Sequence, residues 1–303
     1  MNCMICNAAE FRIHEAREMM LGVKAAFIYR ECMGCSCLRL MNIPEDMSPF
    51  YPNDAYYSFS TGFRQASGWK QALRQAILGI GGRGHIIRRS YPLVNQIIEQ
   101  TGARCFSRIL DVGCGSGSLV RRLRELGFKR ATGLDPFAVN DPPYVRRCNL
   151  NEIDGEWDVV MFHHSFEHME EPAETLRAVR RFLAPDGRLL IRMPVVNWAW
   201  KEYGTNWVAL DAPRHIWLHT ENSFRMLAAK NGFKVQQVIY DSSELQFSGS
   251  ELYRRGIPLH SVDRAIYFSS LEIEKFRKNA DELNARGLGD AAAFTLLSSS
   301  KGS

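Results

Sequence analysis

The fold is decided by the segment Ile109-Leu-Asp-Val-Gly-Cys-Gly-Ser-Gly-Ser-Leu119. Residues 108–112 have the pattern of a short buried strand, and leucines recur at helical spacing from Leu119 to Leu126 before a stop at Gly127. Three glycines join the strand to the helix and let the backbone approach a ligand closely. The first amides of the helix then face its electron-rich groups. The segment therefore predicts a strand, a ligand-binding turn and a helix.

The glycine spacing argues against a dinucleotide site, because G-x-G-x-x-G would require glycine where the chain has Ser118. The pattern is instead Asp-x-Gly-x-Gly-x-Gly, starting at Asp111, and a second acid, Asp135, follows the strand-like residues 131–134. This arrangement resembles motifs I and II of class I methyltransferases that use S-adenosylmethionine. The resemblance implies that Asp111 and the glycines hold the methionine end of the cofactor and that Asp135 hydrogen-bonds the ribose. The alternative is a tight turn without a ligand.

Strands and helices continue to alternate after Asp135, which predicts an α/β fold with a doubly wound, mostly parallel sheet and a ligand at the carboxyl ends of its strands. Besides the helix after the glycine turn, one helix within residues 85–102 precedes the first strand, one opens at Pro172, and one is capped by Thr220. The further strands are predicted at residues 144–148, 157–162, 188–193, 233–240 and 244–248, with a turn at 184–187. The expected architecture is a Rossmann-like sheet of seven strands with an antiparallel hairpin at one edge.

Residues 157–172 and 182–191 resemble motifs IV to VI of the same superfamily, and the resemblance covers about residues 85 to 241. It implies a cofactor site made of Asp111, Gly113, Cys114, Gly115, Gly117, Asp135, Pro136, Asn149, Leu150 and His163.

Five of the eight cysteines lie in the first 37 residues, which in an intracellular protein favours metal binding over disulfides. Two C-x-x-C pairs, 25 residues apart, can place four thiolates around one tetrahedral zinc ion that serves a structural role. The predicted ligands are Cys3, Cys6, Cys32 and Cys35, and Cys37 is an alternative to Cys35. The other reading is a set of reduced cysteines without metal.

Length and composition favour one α/β domain with an accessory module, since 303 residues with 46% hydrophobic content suit a globular chain. The net charge of +5 is modest and its basic residues are dispersed, so a nucleic-acid partner is not indicated. No apolar run is long enough for a membrane span, and the amino terminus lacks a leader pattern, so we expect a cytoplasmic protein.

The predicted organisation has four parts. A zinc ribbon covers residues 1–43, an aromatic and glycine-rich linker covers 44–84, and a class I methyltransferase core covers 85–252. A helical extension and tail cover 253–303, with a polar helix at residues 269–286. The aromatic side chains of the linker either bury themselves or line a substrate cleft.

The candidate catalytic base is a histidine, because a neutral imidazole can accept a hydroxyl proton at neutral pH. The order of preference is His168, His215 and His164, with Arg214 orienting the acceptor. Glu167-His168 also resembles the metal-binding pair of some quinone-type O-methyltransferases, but the upstream acid of those sites is His164 here. Metal-free catalysis is therefore favoured.

An amino-terminal zinc ribbon followed by this methyltransferase pattern resembles enzymes of bacterial clusters for surface polysaccharides and sugar-containing metabolites. The resemblance implies S-adenosylmethionine-dependent methyl transfer to a hydroxyl of a sugar, glycan or related small molecule. One alternative is an RNA methyltransferase, which would need a continuous basic face. Another is a non-catalytic scaffold that binds the cofactor and recruits a partner.

Overall fold

The computed structural model of the chain describes residues 2–51, 91–138, 142–260 and 262–299. Most of the predicted aromatic linker and the end of the predicted tail lie outside these ranges.

The core is a seven-stranded sheet in the order β10-β11-β8-β7-β4-β5-β6. Strands β4 to β8 run parallel to one another, whereas β11 is antiparallel to both of its neighbours, β8 and β10. The strand bounds are β4 Ile109–Val112, β5 Ala131–Leu134, β6 Val145–Arg146, β7 Trp157–His163, β8 Leu183–Pro194, β10 Phe233–Tyr240 and β11 Ala291–Ser298. This sheet confirms the predicted Rossmann-like α/β fold.

Seven α-helices accompany the sheet in the described ranges: α1 Pro92–Thr101, α2 Ser118–Glu125, α3 Pro172–Phe182, α4 Trp198–Tyr203, α5 Glu221–Lys230, α6 Leu245–Arg254 and α7 Ser270–Ala285. Prolines open α1 and α3, where the missing amide hydrogen costs nothing. Thr220 caps α5 by accepting a hydrogen bond from the Ser223 amide at 3.0 Å. None of these helices, within the part of the chain that the structure describes, has the length and apolarity to cross a membrane.

The predicted strand at residues 244–248 is wrong, because this segment opens helix α6. The helix buries most of its surface, and Gly249 lies so close to Val208 that an added Cβ would stand 2.6 Å from its Cγ2 atom. The seventh strand is β11, within the predicted helical extension, which also contains the expected polar helix α7. The predicted turn at 184–187 is a bulge inside β8, since Leu183 pairs with Trp157 and Arg188 pairs with Val159.

A second, four-stranded antiparallel sheet contains the amino-terminal residues, in the order β1-β2-β3-β9. Its strands are β1 Phe11–Arg17, β2 Ala26–Cys32, β3 Leu38–Leu40 and β9 Trp217–Leu218. We call it the N-terminal sheet. Strand β9 comes from the core, and Tyr29 donates a hydrogen bond to the carbonyl of His215 at 2.8 Å. The amino-terminal module is therefore joined to the segment that follows β8.

Candidate active site

The glycine loop after β4 has a backbone that side chains would not tolerate. Gly113, Gly115 and Gly117 have φ angles of +73°, +54° and +71°, in the left-handed region that favours glycine. A Cβ on Gly113 would lie 2.4 Å from the Cβ of Ser165, and one on Gly117 would lie 2.5 Å from Val145. The glycine loop is thus packed closely against the segment after β7 and against β6, in a space that only glycine fits.

Two buried acids stand at the ends of β4 and β5. Asp135 accepts hydrogen bonds from the amides of Gly115 and Phe137, both at 2.8 Å, so its carboxylate fixes the loop. Asp111 is fully buried, and its Oδ1 has no hydrogen-bond partner in the described chain. Burial, followed by the charge of Asp135, raises the pKa of Asp111 to about 8. A cationic ligand group beside Asp111 would relieve this cost.

The other predicted cofactor residues follow the ends of parallel strands and therefore share the same edge of the sheet. Cys114 lies in the glycine loop, against Gly133 of β5. Pro136 follows β5, and Asn149 with Leu150 follows β6, where the Asn149 amide donates to Glu152 at 3.1 Å. His163 ends β7, and burial lowers its pKa to about 3. The structure brings these residues to one edge, and their cofactor roles stay predictions.

A cluster of histidines and acids follows β7 and meets the loop after α4. Glu167, in a 3-10 turn spanning Phe166–His168, is fully buried. Its Oε1 lies 3.4 Å from Nδ1 of His164 and 3.8 Å from Nε2 of His215. The rings of His168 and His215 are 5.0 Å apart, centroid to centroid. The structure thus brings together all three candidate bases.

The sequence named Glu167 only in a metal-binding pair with His168, an alternative that was not favoured, and did not predict a role for it in metal-free catalysis. Burial acts to raise its pKa, but the surrounding imidazoles outweigh burial and hold the pKa at about 2. Neither of its oxygens has a hydrogen bond of ordinary length from the described residues. Its position directly before the preferred base, His168, was the available sequence signal. A buried anion of this kind attracts protons and cations.

Backbone carbonyls fix the orientation of two imidazoles. Nδ1 of His168 lies 2.7 Å from the carbonyl oxygen of Arg214, and Nδ1 of His215 lies 2.8 Å from that of Ala209. Because a carbonyl only accepts, both Nδ1 atoms carry a proton. In a neutral ring, Nε2 then has the free lone pair. For His215 this atom lies 3.6 Å from Asp211 and 3.8 Å from Glu167, and the charges of the same two carboxylates also act on His168.

Arg214 is buried and forms an ion pair with Asp211. Asp211 was not among the predicted site residues. The pair fixes the loop that carries His215, because Asp211 and Arg214 flank the turn before it. The role of Arg214 in orienting the acceptor stays a prediction.

Glu167, His168 and His215 also offer one ligand atom each within 4.8 Å of one another. Such a carboxylate and imidazole set has the chemistry of a divalent-cation site.

The four predicted zinc ligands converge in the N-terminal module, again with ligand atoms within 4.8 Å of one another. The Sγ atoms of Cys3 and Cys35 are 3.8 Å apart, and those of Cys6 and Cys32 are 3.4 Å apart. Cys37 lies beyond this group, 3.5 Å from Cys35. The geometry therefore selects Cys35 over Cys37 as the fourth member.

One family model and several known proteins match parts of the chain. A family described as "Methyltransferase domain" matches residues 84–238, just over half of the chain. Ubiquinone biosynthesis O-methyltransferase of Sodalis glossinidius is 30% identical over 143 residues, covering 40% of this chain and 56% of the relative. The enzyme of the same name from Yersinia enterocolitica is 26% identical over 150 residues, covering 42% and 61%. The chain thus spans about half the length of the curated relatives that it matches.

Among solved structures, a cyclopropane synthase from Mycobacterium tuberculosis is similar with a TM-score of 0.44 and 18% identity, covering 68% of this chain and 82% of that one. A methyltransferase from Burkholderia thailandensis, solved with 1,6-didemethyltoxoflavin and S-adenosylhomocysteine, has a TM-score of 0.42 and 17% identity, covering 78% and 92%. The family match over residues 84–238 decides the class, and the chain therefore belongs to the methyltransferase-domain family.

Proposed function

We propose that this chain transfers a methyl group from S-adenosylmethionine to a hydroxyl of a sugar, glycan or related small molecule. One observation carries the proposal: the glycine loop with its two buried acids packs against the segment that opens the cluster of Glu167, His164, His168 and His215, which we call the Glu–His cluster. The relatives are named O-methyltransferases, which supports a hydroxyl as the acceptor. The sugar class is supported by the resemblance to enzymes of bacterial polysaccharide clusters.

The residues of the loop fit the cofactor. The unpaired Oδ1 of Asp111 suits the cationic methionine end of the cofactor. The glycines of the loop have no side chains, which suits close approach of the cofactor to the backbone. Asp135 would hold the ribose hydroxyls with the acceptor capacity that its two amide bonds leave. When bound, the cofactor supplies an electrophilic methyl group.

His168 is the proposed proton acceptor. Its Nδ1–H is held by the Arg214 carbonyl, which leaves Nε2 to take the hydroxyl proton as the oxygen bonds to the methyl carbon and the carbon–sulfur bond breaks. Burial lowers the pKa of His168, which keeps the ring in the neutral, accepting form. Glu167 stabilises the positive charge that the ring then acquires. His215 and His164, beside the same carboxylate, are the next candidates.

The test is mass spectrometry of candidate sugars and glycans incubated with isotopically labelled cofactor. With the acceptor in hand, His168→Ala should lower turnover by roughly a hundredfold to ten-thousandfold and leave cofactor affinity intact. His260→Ala removes an exposed histidine outside the cluster and serves as the matched control. Near wild-type turnover in both His168→Ala and His215→Ala would show that no histidine base is needed and that the enzyme acts by positioning its substrates.

Metal-free catalysis stays part of the proposal and has its own test, because Glu167, His168 and His215 are also arranged for a divalent cation. Turnover should not depend on added Mg²⁺. Loss of turnover after brief chelation that Mg²⁺ restores and Zn²⁺ does not would contradict it.

We also propose that Cys3, Cys6, Cys32 and Cys35 hold one structural zinc ion. A tetrahedral site with zinc–sulfur bonds of about 2.3 Å has sulfur–sulfur distances of roughly 3.8 Å, close to those observed. Among the four thiols only Cys32 has a lowered pKa, about 7, because burial, which would raise it, is outweighed by the amides of Cys35 and Gly34 and by the neighbouring thiols. Burial raises the pKa of Cys3 and Cys6, and the hydrogen bond with Cys37 raises that of Cys35, so these three thiols would need the charge of the ion to ionise. Four thiolate ligands leave no open position, so the ion would act in folding and not in catalysis.

A further inference from the structure

A cleft separates the N-terminal sheet from the core, beside the carboxyl ends of β8 and β10. Its volume is about 580 Å³, within the ~300 to 1,000 Å³ range of small-molecule sites, which are frequent at such module boundaries. Strands β1 and β2 form one wall, and α4 with the start of α5 forms the other. Neither the glycine loop nor the Glu–His cluster contributes to its described lining. We call it the inter-module cleft.

The carboxylates in this cleft already have partners. Glu31 lies 2.8 Å from Nε2 of His14 on the neighbouring strand. Glu221 accepts a hydrogen bond from the Tyr240 hydroxyl at 2.6 Å and pairs with Arg225. The negative charge of the cleft is therefore engaged within the protein.

The two cations of the cleft are not engaged in this way. Arg12 stands directly opposite Glu31 in the β1–β2 register, but the carboxylate of Glu31 turns to His14. Lys201 projects from α4 on the facing wall. Both side chains are exposed, and among the described residues neither the Arg12 guanidinium nor the Lys201 ammonium has a hydrogen-bond or ion-pair partner. The charges without a partner in the described lining are thus positive. They come from Arg12 on β1 and from Lys201 on α4.

Two aromatic side chains also line the cleft: Trp200, which is 7% exposed, and the half-buried Tyr240. Trp200 lines the cleft and packs edge-on against His14, with ring centroids 5.0 Å apart and an interplanar angle of 81°. Tyr240 also lines the cleft, and its hydroxyl donates to Glu221. A ring beside an anionic group would find both an apolar surface and two counter-charges here.

From this arrangement we propose that the inter-module cleft is a second ligand site, which binds a small molecule carrying a phosphate group next to a ring. Arg12 supplies the forked donor that suits phosphate, and Lys201 supplies a point charge from the other side. The site is separate from the methyl-transfer centre and goes beyond the proposed methyl transfer.

The test is calorimetric titration of the full chain, saturated with S-adenosylmethionine to block the glycine loop, using phenyl phosphate as the probe. We expect one saturable site per chain, with Arg12→Ala and Lys201→Ala each weakening binding about three- to tenfold. Lys234→Ala, which removes an exposed charge from β10 away from the cleft lining, is the matched control and should leave binding unchanged. Benzyl alcohol, which has the ring without the charge, should not bind measurably.

Several results would overturn the proposal: no saturable binding, equal affinity in Arg12→Ala and wild type, or benzoate binding as tightly as phenyl phosphate. Affinity for S-adenosylmethionine, measured in the same variants, should stay at the wild-type value. Because the titration does not involve turnover, failure of this proposal and failure of the proposed methyl transfer give different results.

Discussion

Asp111 and Asp135 are both buried acids at strand ends, but their surroundings differ. Asp135 receives two backbone amides, whereas Oδ1 of Asp111 receives none from the described residues and its pKa is raised to about 8. A buried acid without donors is costly to ionise until a cation arrives. We therefore propose that Asp111 responds to the charge of a bound cation, whereas Asp135 fixes the glycine loop through its two amide bonds.

We therefore expect cofactor binding to release a proton at pH 6.5. Asp111 is protonated below about pH 8 in the free protein, and a cationic methionine group favours its carboxylate form. Cofactor affinity should rise with pH up to about 8 and level off above it. Calorimetry in buffers of different ionisation enthalpy measures the release, and Asp111→Asn should abolish it. Equal proton release in Asp111→Asn would assign the titration to another group.

Glu167→Gln should lower turnover and leave cofactor affinity unchanged. Loss of one charge-assisted interaction with the acquired imidazolium charge costs about 1.5 to 3 kcal/mol, or roughly tenfold to a hundredfold in rate. Steady-state kinetics with the identified acceptor measures it, and Glu170→Gln, an exposed neighbour, is the control. Unchanged turnover in Glu167→Gln would remove the carboxylate from the mechanism.

At the scale of elements, most core strands and helices could be predicted, because their periodicity, proline starts and glycine stops are local signals. Strand β11 could not, because its Ala291-Ala-Ala run favours a helix and becomes a strand only between β8 and β10. Helix α6 was missed for the same kind of reason, since its Gly and Ser residues are selected by contact with Val208 and its neighbours. Tertiary packing overrode local propensity in both.

The residues of the candidate site also fall into those with a local sequence signal and those that depend on tertiary packing. The glycine loop and the four cysteines are sequence-local motifs, and the structure groups them as expected. Asp211, and the contact of Glu167 with His215, could not be predicted, because they form only when the loop carrying His215 folds back onto the turn after β7. There the Ile216 amide donates to the Glu167 carbonyl at 2.9 Å. A contact between residues so far apart leaves no periodic signal.

Cys32→Ser should reduce bound zinc below one ion per chain and lower the melting temperature by several degrees. It removes one of four ligands from a short module whose core includes the cysteines themselves. Elemental analysis and calorimetry are the measurements, and Cys148→Ser, outside the cluster, is the control. Full stability together with no zinc in the wild type would show that the thiols act without metal.

At the scale of the whole molecule, the two sheets share a hydrophobic core. Buried Cys3, Ile5 and Cys35 belong to the same cluster as Phe162 and Phe224 of the core. Strand β3 pairs with β9, and Thr220 donates to the carbonyl of Cys35 at 2.9 Å. Stability of the amino-terminal module is therefore linked to that of the methyltransferase core.

Removal of zinc by a chelator should consequently lower the melting temperature of the described core and its N-terminal sheet in one cooperative transition. A shared core gives neither module an independent unfolding equilibrium. Scanning calorimetry together with near-ultraviolet circular dichroism would follow both modules at once. Two separate transitions, with the cofactor-stabilised one unaffected by the chelator, would contradict this coupling.

The pairing of β3 with β9 sets an order of events during synthesis. Leu38 leaves the ribosome about 180 residues before its partner, Leu218, so the edge of β3 waits through translation of all five parallel strands, β4 to β8. An apolar strand edge left open for that interval is a place where nascent chains pair with one another. Zinc captured early by the four cysteines would hold β1 to β3 in a compact form until β9 arrives.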